Sequence, residues 1–213
     1  IAVEEIEAKR DTALKLLTKE ANKNKPLGSI SRIQEIQVEP SFPCNLRCPG
    51  CLQGRVENPL STEERPYILP LEWFKNIIAS SINNDVKIGR IAFVGRGEPT
   101  LNKELGEMIK YARKMYDDDI IMSMDTNSTQ EFKEEYTLLN WINCSIDGSN
   151  QESYSKYRIG GEFDKTIDFM QKAMKFISAN GNQCNVRWKY ILFDTNDTIA
   201  EMNKAQEIAK SIG

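Results

Sequence analysis

The chain has 213 residues, 40% of them hydrophobic and 28% charged, with a formal net charge of -3 and no histidine. The missing histidine excludes Ser-His-Asp and Cys-His catalysis and every Cys/His zinc finger within these residues, and the acidic balance disfavours nucleic acid as a partner. No stretch approaches the roughly 20 consecutive apolar residues of a membrane span, and Ile1–Lys19 mixes charge with apolar residues where a signal peptide has an apolar core, so a cytoplasmic protein with no membrane partner is expected.

In chain order, Ile6, Leu14, Leu16, Leu17 and Ala21 stand among charges and predict an amphipathic helix over Val3–Ala21, ended by Asn24–Gly28. Residues 1–30 therefore read as an N-terminal helical extension and residues 31–213 as the main domain. From there strand-like runs at Ile33–Val38, Arg90–Val94, Ile120–Met124, Trp141–Ile146 and Val186–Phe193 alternate with helical patterns. The helical patterns cover Leu71–Ser81, Lys103–Tyr116, Gln130–Leu138, Phe163–Ala179 and Thr198–Ser211. Repeated βα units predict an α/β fold with a parallel sheet, outer helices and right-handed crossovers that curl it into a full or partial barrel. A long polar loop, Leu52–Pro70, interrupts the pattern early, and loops of this length are usually functional or mobile.

Three of the five cysteines crowd into Ser41–Cys51, SFPCNLRCPGC, just past the carboxyl end of the first strand, where parallel α/β folds place their active sites. An odd number of cysteines, three of them cramped together, argues against a disulfide framework and for thiolates on a metal. The spacing C-x3-C-x2-C of Cys44, Cys48 and Cys51 suits iron-sulfur or zinc. Cys144 and Cys184 show no pairing motif, so no fourth thiolate is visible. An iron-sulfur cube held by three thiolates keeps one iron open to a small molecule, while a closed zinc site needs an unseen fourth ligand. A non-catalytic scaffold holding zinc or a cluster on an α/β fold is the competing reading.

Cys44-Asn45-Leu46-Arg47-Cys48-Pro49-Gly50-Cys51 resembles the cysteine motif of radical S-adenosylmethionine (radical SAM) enzymes, in the style of members with SPASM or twitch extensions. Where the family often has an aromatic residue after the second cysteine, this chain has Pro49. Gly95-Arg96-Gly97-Glu98-Pro99 is similar to the family's GGEP motif, with Glu98 placed for the ammonium of S-adenosylmethionine. Thr126-Asn127-Ser128 is similar to its TNG turn, and Asn127 serves either the turn or the ligand. Ser145-Ile146-Asp147-Gly148 is similar to S-x-D-G, whose serine meets ribose hydroxyls; alternation turns Cys144 the other way, into the core. Tyr154 and Arg158 match a Y-x-x-x-R segment that presents a basic residue to the methionine carboxylate, and Leu192, near the end of the fifth strand, and Asn196, in the loop after it, fall at the adenine side.

The resemblance implies a partial (β/α)6 TIM-like barrel, of which five strands are visible and a sixth is not. The implied cofactors are a [4Fe-4S] cluster on Cys44, Cys48 and Cys51 and S-adenosylmethionine on Gly95, Gly97, Glu98, Asn127, Ser145, Arg158, Leu192 and Asn196. The implied activity is reductive cleavage of S-adenosylmethionine to methionine and a 5'-deoxyadenosyl radical that takes hydrogen from a small-molecule or peptide substrate. Flavodoxin or ferredoxin is the expected electron donor.

Overall fold

The protein is described by a computed structural model over residues 30–54 and 67–213. The chain divides into two compact units, Ile1–Arg32 and Ile33–Gly213, and the second carries the sheet and its helices. The helix expected over Val3–Ala21 lies outside the described residues, as does much of the long loop.

Alternation builds the sheet. Ile91 and Phe93, Met122 and Met124, and Ile142 and Cys144 are sealed from solvent, while the residues between them point to the opposite face, because successive strand side chains alternate. Five strands result: β1 (Ile36–Val38), β2 (Arg90–Phe93), β3 (Ile121–Thr126), β4 (Trp141–Ser145) and β5 (Asn185–Lys189). They are parallel and lie side by side in sequence order. A sheet that never reverses its winding curls toward a barrel instead of forming the crevice of a doubly wound fold. The observed architecture is thus the partial TIM-like barrel, an α/β fold with helices outside.

The helices cover the apolar face. In α1 (Leu71–Asn83) Phe74 and Ile78 are fully buried, and in α2 (Leu105–Tyr116) Leu105, Met108, Ile109 and Ala112 form one stripe at helical spacing. A short helix that the periodicity does not predict, α3 (Gln151–Tyr157), starts where the Asn150 side chain accepts hydrogen bonds from the Glu152 and Ser153 amides at 2.9 and 3.1 Å. The helix α4 (Phe163–Asn180) buries Phe169, Met170 and Ala173 and stops at Gly181, whose φ of 67° ends the helix in the left-handed region. The last helix, α5 (Ile199–Ile212), is capped by Thr198. Rings interlock the layers: Phe74 lies 5.8 Å from Phe93, and Phe132 meets Phe169 edge-on at 5.7 Å. Burying each such ring stabilises the fold by about 1.5–3 kcal/mol.

Three elements depart clearly from expectation. The first strand, expected over Ile33–Val38, is confined to Ile36–Val38, because the Ile33 carbonyl accepts from the Gly89 amide at 2.9 Å in a separate short ladder. The helix expected over Gln130–Leu138 is a single 3-10 turn, Glu134–Leu138. Its terminal carbonyl, on Leu138, accepts from Arg113 Nε and Nη2 at 3.2 and 2.8 Å, so a side chain from α2 takes the acceptor a further turn would have used. The fifth strand, expected through Phe193, ends at Lys189. Beyond it the Ile191 amide donates to Asp147 Oδ1 at 2.7 Å and the Phe193 amide to Asn196 Oδ1 at 2.6 Å, which withdraws both donors from the ladder.

Candidate active site

The register aligns the carboxyl ends of all five strands, pairing Val38 with Phe93, Phe93 with Met124, Thr126 with Cys144 and Ser145 with Lys189. Everything that follows a strand therefore gathers on one rim. The cysteine loop crosses this rim and is tied down by backbone bonds: Glu98 N donates to Pro43 O at 2.9 Å, Arg47 N to Ile159 O at 2.9 Å and Cys51 N to Cys48 O at 3.0 Å. Gly97 is required there because a Cβ at that position would overlap the Ser41 and Phe42 carbonyls. Glu39 reaches across from β1 to accept hydrogen bonds from the Arg96 and Gly97 amides, which fixes the turn after β2.

Glu98 is buried to 2% exposure and joins the ends of β2 and β3. Its Oε1 accepts from Thr100 Oγ1 and Thr126 Oγ1, both at 2.6 Å, and its Oε2 accepts from the Asn127 amide at 2.7 Å. Burial pushes its carboxyl above the usual carboxylate range, against the pull of those donors. Asn127 then connects this junction to the cysteines: its Nδ2 donates to Asn45 Oδ1 at 2.9 Å and lies 3.8 Å from Cys44 Sγ, while Thr129 donates to its Oδ1 at 2.7 Å. Asn45 Nδ2 closes the ring on Thr129 Oγ1 at 2.8 Å.

Arg158 follows α3 and is anchored from below. Its Nε donates to Asp147 Oδ2 at 2.6 Å, and its Nη1 lies 3.8 Å from Cys48 Sγ. Asp147 is fully buried, so the pair sets the guanidinium's direction. Tyr157 stacks on Phe193 with ring centroids 4.0 Å apart and packs its hydroxyl beside Gly50.

A cavity of about 360 Å³ opens between these groups. Cys44, Cys48 and Cys51 line it, together with Gly95, Gly97, Glu98, Asn127, Ser145 and Arg158. Nine of the eleven implied positions thus line one cavity, and the remaining two stand elsewhere: Leu192 is 56% exposed and lines a second cavity under α5 with Trp188 and Met202. Asn196 is buried and spends its amide on the loop after β5, donating to Asp147 O at 3.1 Å and Ile191 O at 3.0 Å. Cys144 is sealed in the core and Cys184 is buried beside Tyr136 O, so neither reaches the cavity.

The family model of the radical SAM superfamily matches residues 38–205. The chain belongs to the radical SAM superfamily. A Methanococcus maripaludis protein named probable GTP 3',8-cyclase is 30% identical over 62% of this chain and 42% of its own length. A Brachyspira hyodysenteriae protein named GTPase Obg is 25% identical over 83% of this chain and 26% of its own. The 213 residues contain no Gly-Lys pair and hence no G-x4-G-K-[ST] phosphate loop. A solved structure described as native anSMEcpe with bound AdoMet shares the fold, with a TM-score of 0.55 and 22% identity over 84% of this chain and 49% of that one. The chain spans less than half the length of these relatives.

Radical SAM enzymes use a [4Fe-4S] cluster and S-adenosylmethionine, and the donor set here fits a cluster. All three thiols are free, and the Leu46 amide at 3.5 Å, Asn127 Nδ2 and Arg158 Nη1 point donors at two of the sulfurs. Among the described residues no three His, Cys, Asp or Glu side chains converge on a single-ion position. Burial pushes the Cys44 thiol up to about 11 and raises that of Cys48 despite Arg158 beside it; metal ligation removes those protons and that cost.

Sequence patterns do not single out Asn45, Gln53 or Asp125, which also belong to the site. Gln53 is 2% exposed, lines the cavity and donates to Phe42 O at 2.7 Å, which leaves its Oε1 without a partner. Its position two residues after Cys51 is the available signal.

Proposed function

We propose that this chain carries the radical-generating core of a radical SAM enzyme, with Cys44, Cys48 and Cys51 holding the [4Fe-4S] cluster. The single observation that carries the reading is that these three free thiols and the ends of β2, β3 and β4 line one cavity. When bound, the cluster supplies one electron that cleaves S-adenosylmethionine to methionine and a 5'-deoxyadenosyl radical. The chain's own residues position the ligand. Arg158, locked by Asp147, offers its outer nitrogens to the methionine carboxylate as a planar fork. Glu98 Oε2, which accepts only one hydrogen bond, retains acceptor capacity for the ammonium. Ser145, at the end of β4, faces the ribose, and Gly95 and Gly97 let the turn after β2 close against Glu39 and the Ser41 and Phe42 carbonyls, which sets the wall beside the ligand. Leu192 and Asn196 bear on the adenine side only through the loop after β5.

The substrate is a small molecule or peptide, and the GTP 3',8-cyclase relative makes a nucleotide one such small molecule. A one-electron donor of the flavodoxin or ferredoxin kind completes the reaction. The reading implies a reducing, cytoplasmic setting, consistent with five free cysteines; no helix among the described residues is long and apolar enough to cross a membrane.

The test is anaerobic reconstitution with iron and sulfide, followed by titration of S-adenosylmethionine and assay of 5'-deoxyadenosine with dithionite. Near four irons per chain, lost in each of Cys44→Ala, Cys48→Ala and Cys51→Ala but kept in Cys144→Ala, is expected. Stoichiometric zinc without sulfide overturns the reading.

A further inference from the structure

Below the cofactor cavity, the inner face of the sheet is polar and charged where a closed barrel would be filled with branched apolar side chains. Three cations project into it. Arg90 pairs with Glu35 at 3.1 Å and donates to Ser123 Oγ at 2.9 Å. Lys189 pairs with Asp125 at 3.0 Å, and Asn143 donates to the other oxygen of that carboxylate at 2.6 Å. Arg187 alone of the three has no carboxylate partner among the described residues. Its guanidinium stacks over Trp141, 4.9 Å from the ring centroid, and Arg90 stacks over the same ring at 5.1 Å. Stacking fixes the plane of a guanidinium while leaving its edge donors open.

We propose that Arg187, held on Trp141, receives an anionic group of the substrate, a phosphate or a carboxylate, while the reacting carbon lies at the level of Ser145 and Asp125. The placement of the reacting carbon rests on the radical SAM reading of the cavity; the anion site does not. Arg187 and Lys189 share one face of β5, so about 7 Å separates the unpaired cation from the cavity floor. Asp125 and Lys189 line that cavity. A substrate reaching both levels carries its negative charge about 7 Å, roughly five bonds of a sugar or amino-acid skeleton, away from the carbon attacked. The chain's net charge of -3 makes this a local feature, since the surface as a whole repels anions.

The structural alternative is that the Arg–Trp–Arg stack only closes the bottom of the half-barrel. The two readings separate in one experiment. The indole N–H resonance of Trp141, assigned with Trp141→Phe, is followed while inorganic pyrophosphate or succinate is added to cluster-free protein and to cluster-loaded protein. A saturable shift is expected, with apparent affinity at least tenfold weaker in Arg187→Gln and intermediate in Arg187→Lys, which keeps charge but loses the planar stack. The anion that binds more tightly names the substrate group. S-adenosylmethionine affinity is expected to be equal in wild type and Arg187→Gln. Equal anion affinity in wild type and Arg187→Gln overturns the proposal, as does a lower melting temperature of Arg187→Gln with unchanged anion binding. Failure of the cluster-loaded protein to bind S-adenosylmethionine counts against the cofactor reading instead, because the cluster-free titration stands on its own.

Discussion

Ser128 stands where the related turn has glycine, and its φ of 58° shows why. A left-handed conformation costs a side-chain-bearing residue about 1–2 kcal/mol, and the buried Ser128 Oγ has only the Cys144 thiol, a weak partner, beside it. Ser128→Gly is therefore expected to stabilise the protein by about 1 kcal/mol or more, seen as a higher urea midpoint at unchanged slope; an unchanged or lower midpoint would show that the hydroxyl has a stronger partner in solution. Arg158 gives the opposite case. Replacing it with methionine strands the Asp147 carboxylate at zero exposure, and breaking one side of a buried pair costs about 3–5 kcal/mol. Arg158→Met is expected to lose stability along with S-adenosylmethionine affinity, and adding Asp147→Asn should recover stability but not affinity. Equal stability of Arg158→Met and wild type by denaturant titration would contradict the pairing.

At the level of elements, strand and helix periodicity carried most of the fold, because the core is built from runs such as Ile91/Phe93 and Leu105/Met108/Ala112 whose neighbours in sequence decide their faces. It failed where long-range side-chain bonds decide. Nothing near Leu138 announces that Arg113 will cap it, and nothing near Ile191 announces Asp147 as its acceptor. The site shows the same division. The cysteine spacing and the strand-end motifs were legible as patterns, whereas the Asn45–Asn127–Thr129 ring joins residues 82 and 84 positions apart and has no local signature. Asn196 is the element-scale test. Asn196→Ala removes three hydrogen bonds from a buried loop, with an expected cost of about 1–3 kcal/mol. Amide exchange should accelerate at residues 191–196 and stay unchanged in β2 and β3; uniform acceleration would place Asn196 in the global core instead.

For the whole molecule, the cavity wall draws on six segments distant in sequence: the cysteine loop, the turns after β2 and β3, the end of β4, the end of α3 and the end of β5. A group bound only when these are assembled stabilises the fold by mass action, by about 4 kcal/mol at a thousandfold excess over its dissociation constant. Cluster loading under anaerobic conditions is expected to raise the melting temperature by several degrees, and stripping the iron with a chelator to reverse it; the same shift in the Cys44→Ala variant would assign the gain to adventitious iron. The alternation of the strands has a consequence for how such a protein changes over time. On the inner face Arg90 bonds to Ser123 and Glu35, Asn143 to Asp125, and Arg187 stacks on Trp141, while the cysteine loop is fastened to the turns above them. On the proposed reading, substrate choice and radical initiation then draw on different levels of the same strands, and a lineage that exchanges the lower set acquires a new substrate without relearning how to make the radical.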